Sequence, residues 1–189
     1  PGMGEVGAEL AEDLQRFVQL VGEKRIAAVF VEPIAGSTGV IVPPTGYLER
    51  IREICTRYGI LLVFDEVICG FGRTGEAFAA QSFGVTPDII TMAKALTNGA
   101  QPMGAVAVHA TIYQQIINGA TENAPEFFHG YTYSAHPAAC AAGLATLEIY
   151  RKEDLFHQAR ALSAYFQDAM FALQDLPVVA DIRGYGLLA

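Results

Sequence analysis

Three short apolar runs, each ending at a charged residue, constrain the fold of this 189-residue chain more than any other feature. Continuous apolar runs of about four to eight residues between turn signals are typical of strands that are buried on both faces of a sheet. The runs are 25–33, which ends at Glu32 and Pro33, Ile60–Phe64 before Asp65, and Ile89–Ala93 before Lys94. A fourth run, Gly104–His109, predicts another strand.

Apolar residues at helical spacing predict helices between and after these strands. The predicted helices are Glu5–Val21, Tyr47–Tyr58, His136–Tyr150 and Leu155–Leu173, and Val178–Arg183 predicts a last strand. Gly59 supplies a C-terminal stop for the second helix. Strands that alternate with helices predict an α/β fold with a largely parallel sheet.

Composition and charge exclude several classes of protein. Hydrophobic residues make up 52% of the chain and charged residues only 17%, which argues against disorder. The formal net charge is −8 without a cluster of lysines and arginines, so a nucleic-acid backbone is not an expected partner. No apolar run reaches the roughly 18 residues that span a bilayer, and no signal peptide is visible. Three cysteines without a CxxC motif predict free thiols in a reducing cytoplasm.

Charged side chains at the carboxyl ends of the predicted strands are the first candidates for a functional site, because ligands of open α/β sheets bind there. Glu32, Asp65, Glu66 and Lys94 occupy these positions. An ordinary ion pair at the strand ends is one interpretation of Asp65 and Lys94. Pyridoxal phosphate chemistry is the other, because a lysine can form a Schiff base with the cofactor aldehyde while an aspartate keeps the pyridine nitrogen protonated.

Two other patterns carry weaker signals. Gly70–Gly75 matches GxGxxG, but Asp65–Cys69 separates it from the preceding strand, whereas a dinucleotide site needs the strand to run straight into the turn. A flexible loop is the favoured interpretation of these glycines. His129 and His136 lie seven residues apart, and hydrogen-bonded or exposed histidines are favoured over a zinc pair, so no metal site is expected.

Five segments together resemble the class III aminotransferases, which are pyridoxal phosphate enzymes of fold type I. The segments are Val31–Pro33, Phe64–Gly75, Ala93–Gly99, Pro102–Ala105 and Phe127–Pro137. The most similar subgroup is that of the omega-amino-acid:pyruvate (β-alanine:pyruvate) aminotransferases. The resemblance implies a mostly parallel sheet with helices on both faces, in which Gly104–His109 is antiparallel. It also implies that residues 1–150 are part of the large cofactor-binding domain, and that 151–189 form a linker helix and the start of the small C-terminal domain.

The resemblance implies a role for each of four matching residues. Lys94 is expected to form the Schiff base with pyridoxal phosphate, and then to carry the proton between the substrate Cα and the cofactor C4′. Asp65 is expected to pair with the pyridine nitrogen, and Val67 to pack on one face of the ring. Thr132 is expected to bind the cofactor phosphate of a neighbouring subunit, so that the site forms in a homodimer or a higher homo-oligomer.

Two further positions, Ile68 and Cys69, differ among the proteins that this chain resembles, and a third position, Glu32, has a less defined role. Ile68 stands where many class III enzymes have a glutamine that bonds the cofactor phenol oxygen, and the omega-amino-acid:pyruvate group also has isoleucine there. Cys69 stands where threonine is usual, either as a reactive thiol or as a small buried residue. Glu32 is expected to lie near the cofactor, with a role that the resemblance does not define.

The expected function is transfer of an amino group from an ω-amino acid or amine to pyruvate. An aminomutase or a decarboxylating transaminase on the same fold is an alternative, and so is a non-catalytic fragment that acts only by assembly. Class III enzymes are much longer than this chain, which therefore resembles a central fragment without the phosphate-binding cup or the substrate-binding arginine. We expect the isolated chain to bind the cofactor weakly, and the sequence does not identify the amine.

Overall fold

The computed structural model describes residues 6–122, 127 and 129–189. The helices are α1 (Gly7–Val21), α2 (Tyr47–Tyr58), α3 (Ala79–Ser82), α4 (Ala110–Gly119), α5 (Pro137–Lys152) and α6 (Leu155–Phe171). The strands are β1 (Ala28–Val31), β2 (Leu61–Asp65), β3 (Ile89–Met92) and β4 (Ala105–Val108). Single 3-10 turns cover Glu23–Arg25 and Lys94–Leu96. Glu5 of the predicted first helix and Phe128 of the motif Phe127–Pro137 lie outside the described residues.

The four strands form one mixed sheet in the order β1-β2-β3-β4. Strands β1, β2 and β3 are parallel to one another, and β4 is antiparallel to β3. In the register of this sheet, Val31 lies opposite Phe64, Asp65 opposite Thr91, and Met92 opposite Ala105. The predictions of a largely parallel sheet and of an antiparallel fourth strand are therefore confirmed.

The main core lies between one face of the sheet and the helices α1 and α2. Val18 of α1 and Ile51 of α2 belong to the same buried cluster as Leu62 and Phe64 of β2. Residues 62 and 64 share a face because side chains alternate along a strand. Val63, on the opposite face, is also buried, at 1% exposure. Strand β2 is thus buried on both faces, as its continuous apolar sequence predicts.

Strand β1 is an exception, and the prediction that it is fully buried is wrong for the described part of the chain. Val29 and Val31 pack against the main core, but Phe30 points to the other face of the sheet and is 71% exposed. The reason is that α1 and α2 pack on only one face of β1, so that the opposite face, to which Phe30 points, is left open within the described residues.

The predicted strand at Val178–Arg183 is also wrong, because residues 178–184 form irregular chain. A strand requires a neighbour for its backbone hydrogen bonds, and Val178 is 91% exposed. The chain instead closes a tight turn, in which Tyr185 and Leu188 exchange backbone hydrogen bonds of 3.0 Å around Gly186. Gly186 has a positive φ of 61°, which glycine adopts without steric cost.

The helices show no candidate for a membrane-spanning segment. None of the helices in the described ranges combines the length and the apolar character that crossing a membrane requires.

Candidate functional site

The carboxyl ends of β1, β2 and β3 lie at the same edge of the sheet because the three strands are parallel. Glu32 directly follows β1, Asp65 is the last residue of β2, and Lys94 begins the turn after β3. Asp65 lies opposite Thr91, three residues before Lys94. The structure therefore brings an acid, a second acid and a primary amine to neighbouring strand ends.

A local hydrogen bond orients the Asp65 carboxylate. Its Oδ1 atom accepts a hydrogen bond of 3.0 Å from the backbone N–H of Val67. This two-residue turn is typical of aspartate, and it fixes the carboxylate against the start of the following loop. Among the described residues, the second oxygen, Oδ2, makes no hydrogen bond, so it is available to a cationic N–H group of a ligand.

Lys94 occupies an unusual backbone conformation. Its φ is +45°, in the left-handed region, which costs a non-glycine residue about 1–2 kcal/mol. The residue starts the 3-10 turn after β3, in which the Thr97 N–H donates to the Lys94 carbonyl at 3.3 Å. Its side chain is exposed within the described part of the chain. Residues that the surrounding structure holds in such a strained backbone conformation are common at functional sites.

Glu66 is the charged residue at this edge whose surroundings the sequence does not reveal. Its side chain is 0% exposed. One carboxylate oxygen accepts a hydrogen bond from the Ala79 N–H at 2.9 Å, and the other accepts one from the Ala80 N–H at 2.7 Å. Burial raises the pKa of the Glu66 carboxyl above its ordinary value, and the two N–H donors offset only part of that rise. These two hydrogen bonds connect the end of β2, through Glu66, to the start of α3.

Replacing Glu66 with alanine is expected to destabilise this region by about 2–4 kcal/mol, because two buried N–H groups lose their acceptors and a cavity forms. Hydrogen exchange of the full-length protein should show faster exchange at Ala79 and Ala80. Glu49→Ala, on the exposed surface of α2, is the matched control and should leave those amides protected. Unchanged protection of the Ala79 and Ala80 amides in Glu66→Ala would contradict the proposed role of the Glu66 carboxylate.

Glu32 lies in the loop after β1 and Ile68 in the loop after β2, and both loops adjoin this edge of the sheet. The Glu32 Oε2 atom accepts a hydrogen bond of 3.0 Å from the Gly36 N–H. A methyl group placed on Gly36 would lie only 2.8 Å from Cγ2 of Ile68, so the two loops are in close contact. The Ile68 carbonyl in turn accepts a hydrogen bond of 2.7 Å from Arg73. Glu32 is thus a close neighbour of the loop that begins after Asp65 and contains Ile68.

Thr132 lines a cleft of about 710 Å³ between residues 101–104 and the loop that leads into α5. Its side chain is exposed within the described ranges. A methyl group placed on Gly104, which also lines the cleft, would lie 3.6 Å from the Met92 carbonyl oxygen. The cleft therefore adjoins the end of β3, on the side of the sheet edge where the Lys94 turn begins.

The glycines of Gly70–Gly75 lie in a loop, as predicted, and this loop is a packed turn. Gly70, Gly72 and Gly75 are buried. Gly72 has a φ of 98°, and a methyl group on it would lie 3.2 Å from the Phe156 ring of α6. The motif does not cap a long helix, because only the four-residue α3 follows it. This geometry differs from the strand–turn–helix arrangement of a dinucleotide site.

Cys69 is buried, which excludes the reactive-thiol interpretation for the folded chain. Its side chain is 0% exposed, and Sγ donates a hydrogen bond of 3.3 Å to the Ile34 carbonyl. Burial raises the pKa of the Cys69 thiol to about 11. Because the thiolate is the nucleophilic form, this environment leaves the sulfur inert near neutral pH.

Iodoacetamide is expected to leave Cys69 unmodified in the native full-length protein at pH 8, because the thiol is buried and its pKa is raised. Mass spectrometry of tryptic peptides measures the extent of labelling. The same protein unfolded in urea provides the control, since Cys69 should then react at the rate of an ordinary thiol. Rapid labelling of Cys69 before unfolding would restore the reactive-thiol interpretation.

Sequence comparison relates the chain to aminotransferases over its whole length. The family described as Aminotransferase class-III matches residues 3–189. The omega-aminotransferase of Caulobacter vibrioides is 61% identical over 189 residues, which are 100% of this chain and 43% of that protein. The omega-amino acid–pyruvate aminotransferase of Pseudomonas putida is 55% identical over 184 residues, which are 97% of this chain and 41% of that protein. The chain thus spans about two fifths of the length of these relatives.

Solved transaminase structures share the fold. A transaminase with L-alanine superposes with a TM-score of 0.90 at 39% identity, over 96% of this chain and 42% of the other. An (S)-enantioselective omega-transaminase from Thermomicrobium roseum gives a TM-score of 0.88 at 42% identity, over 96% of this chain and 40% of the other. The predicted fold class, part of the large domain of a fold type I transferase, is therefore confirmed.

Proposed function

Because this chain belongs to the class III aminotransferases, we propose that the full-length protein containing it transfers an amino group from an ω-amino acid or another amine to pyruvate. One observation carries the proposal: Lys94 and Asp65 follow adjacent parallel strands and lie at the same edge of the sheet. The names of similar proteins support the choice of substrates, since they include omega-amino acid–pyruvate and beta-alanine–pyruvate aminotransferases.

The residues at this edge fit pyridoxal phosphate. The cofactor requires a primary amine for its aldehyde and an acid for its ring nitrogen, and these groups must approach from different positions. Lys94 supplies an exposed amine, and Asp65 supplies a carboxylate with Oδ2 available. When bound, pyridoxal phosphate supplies an electrophilic carbon and a ring that withdraws electrons from the donor.

Each of these residues has a distinct task in the proposed reaction. The Lys94 amine would hold the cofactor through its aldehyde, and Nζ would carry a proton from the carbon that bears the donor amino group to the cofactor. The Asp65 carboxylate holds a proton on the ring nitrogen. Val67, which follows on the same turn, orients Asp65 through its N–H, and its side chain would pack on one face of the ring.

Thr132, Ile68 and Glu32 are proposed to complete the surroundings of the cofactor. Thr132 binds the phosphate of a neighbouring subunit, which is supported by its exposed position on the cleft beside β3. Ile68 and Glu32 border the ring from the two loops that meet at Gly36. These roles follow from family membership and from the places of the residues at one edge of the sheet.

We further propose that the protein is at least a homodimer. Leu144 and Leu147, which lie one helical turn apart on α5, are 69% and 44% exposed, and exposed apolar side chains that lie together on a helix are typical of a stable interface. The proposed location is the cytoplasm, which is supported by free cysteines at positions 55, 69 and 140. The proposed domain division places 1–150 in the large domain and 151–189 at the start of the small one.

An amine-acceptor assay on the full-length protein tests the proposed function. The protein, loaded with pyridoxal phosphate, is incubated with pyruvate and with β-alanine, putrescine or γ-aminobutyrate in turn, and the alanine formed is measured by chromatography. We expect alanine from at least one donor. Formation of no alanine from any donor, by protein that has bound the cofactor, would contradict transfer to pyruvate and favour an aminomutase or another class III reaction.

A further inference from the structure

One face of α5 packs against the turn that carries Lys94. The buried residues of this helix are Ala139, Gly143, Thr146 and Tyr150, whose spacing places them on one helical face. Gly143 permits the close approach, because a methyl group on it would lie 3.3 Å from the Met103 sulfur and 3.9 Å from the Leu96 carbonyl oxygen. The last buried residue of this face, Tyr150, is the only one with a long polar side chain.

The Tyr150 hydroxyl makes hydrogen bonds to two residues of the segment Lys94–Asn98, which contains the 3-10 turn after β3. It donates a hydrogen bond of 2.7 Å to the carbonyl of Ala95, the residue after Lys94. It accepts one of 3.1 Å from Nδ2 of Asn98. Lys94 and Asn98 both have left-handed backbones, with φ of 45° and 50°. The hydroxyl thus restrains one of these two residues, Asn98, directly, and the other, Lys94, through the carbonyl of its neighbour Ala95.

The ring of Tyr150 is fixed by aromatic neighbours from two other segments. It stacks on Phe71 with centroids 6.0 Å apart, and it contacts Phe156 of α6 at 5.2 Å. Phe71 belongs to the loop that follows Asp65. The hydroxyl of Tyr150 therefore contacts the segment that carries Lys94, and its ring contacts the loop that follows Asp65. At 8% exposure it has little freedom to move between them.

We propose that Tyr150 is a positioning residue that sets the place of the Lys94 amine relative to the Asp65 carboxylate. The inference rests on the proposed function and adds a residue from α5 to its site. Its physical basis is that a left-handed turn relaxes toward ordinary backbone when its restraints are removed. Small displacements of a reacting group cause large losses of rate, because the group must approach its target in a narrow range of geometry.

The test compares three variants of the full-length protein. Tyr150→Phe removes the hydroxyl and keeps the ring packing. Asn98→Gly removes the second hydrogen bond at a residue where glycine accepts the positive φ without strain. Tyr165→Phe, on the exposed side of α6 at 72% exposure, removes a phenol hydroxyl away from the turn and is the matched control.

Three readouts separate positioning from general stability. The first is the rate constant of the half-reaction with an amine donor in the absence of pyruvate, followed by absorbance. The second is the pH midpoint of the visible absorption change of the bound cofactor, which reports the surroundings of the Lys94 nitrogen. The third is the melting temperature, which a merely structural role would lower while leaving the first two unchanged.

We expect Tyr150→Phe, which loses both hydrogen bonds of the hydroxyl, to slow the half-reaction about tenfold and to shift the pH midpoint. Asn98→Gly should change both readouts in the same direction by a smaller amount, and Tyr165→Phe should match the unmodified protein. A Tyr150→Phe variant with an unchanged rate and midpoint would overturn the inference, whatever its melting temperature. Absence of cofactor binding by the unmodified protein would instead overturn the proposed function, and this inference with it.

Discussion

Replacing Lys94 with alanine in the full-length protein is expected to abolish transamination, with kcat at least about 10⁴-fold lower. The alanine variant loses both proposed tasks of the amine, the covalent hold on the cofactor and the removal of the donor proton. The fold should persist, because the exposed Lys94 side chain contributes little packing and alanine meets the same backbone cost at a φ of +45°. Steady-state assays with saturating cofactor measure the loss, and circular dichroism checks the fold.

Chemical trapping tests the same assignment without relying on turnover. Borohydride reduction of the cofactor-bound protein, followed by peptide mapping, should place the label on Lys94. The other lysines of this chain, Lys24 and Lys152, provide the control, since both are exposed and neither lies at the carboxyl end of a strand. A label on Lys24 or Lys152, or normal turnover by Lys94→Ala, would contradict the assignment. Lys152→Ala is expected to leave kcat unchanged.

The fold could be predicted from the sequence wherever local pattern alone decides the structure. The run Ile60–Phe64 predicts a strand buried on both faces, and Leu61–Asp65 forms one. The helix Tyr47–Tyr58 has the predicted bounds, because Gly59 takes the left-handed conformation at its end and donates to the Thr56 carbonyl. In these segments the spacing of apolar residues and the residues that end the segment predict the same helix or strand, so that no distant part of the chain is needed for the prediction.

The sequence failed where a partner elsewhere in the chain decides the outcome. Phe30 is apolar but exposed, because burial on its face of β1 depends on which elements pack there, and α1 and α2 pack on the other face. Val178–Arg183 has the residues of a strand but pairs with no other strand in the described part of the chain. A local pattern records the preference of a segment for the extended form and contains no information on its neighbours.

The same division holds for the candidate site. Lys94 and Asp65 could be proposed from sequence, because a charge directly after a buried strand is a local feature. The hydroxyl of Tyr150 and the carbonyl of Ala95 are 55 residues apart in the chain, so no local pattern pairs them. The buried bonds of Glu66 to residues 79 and 80 span 13 and 14 residues and were likewise found only in the structure.

Asp65→Asn is expected to lower kcat of the full-length protein by about 100-fold or more, a smaller loss than that of Lys94→Ala and one with a different cause. A hydrogen bond between charged groups contributes about 1.5–3 kcal/mol, and the larger value corresponds to roughly 150-fold in rate. The neutral amide keeps the size of the side chain and an oxygen for the Val67 N–H, so the turn should persist. What the variant loses is the negative charge that holds a proton on the ring nitrogen.

Asp88→Asn is the matched control, because Asp88 also accepts a backbone N–H, from Leu62 at 2.7 Å, but lies at the amino end of β3 beside Arg52. It should lower the melting temperature by loosening the contact with Arg52, while kcat stays close to that of the unmodified protein. A cofactor methylated at the ring nitrogen separates charge from shape, since its positive charge needs no carboxylate. It should recover part of the lost rate in Asp65→Asn. Near-normal turnover of Asp65→Asn with the ordinary cofactor would show that the carboxylate does not hold the ring proton, and the amine at Lys94 would then have to act without it.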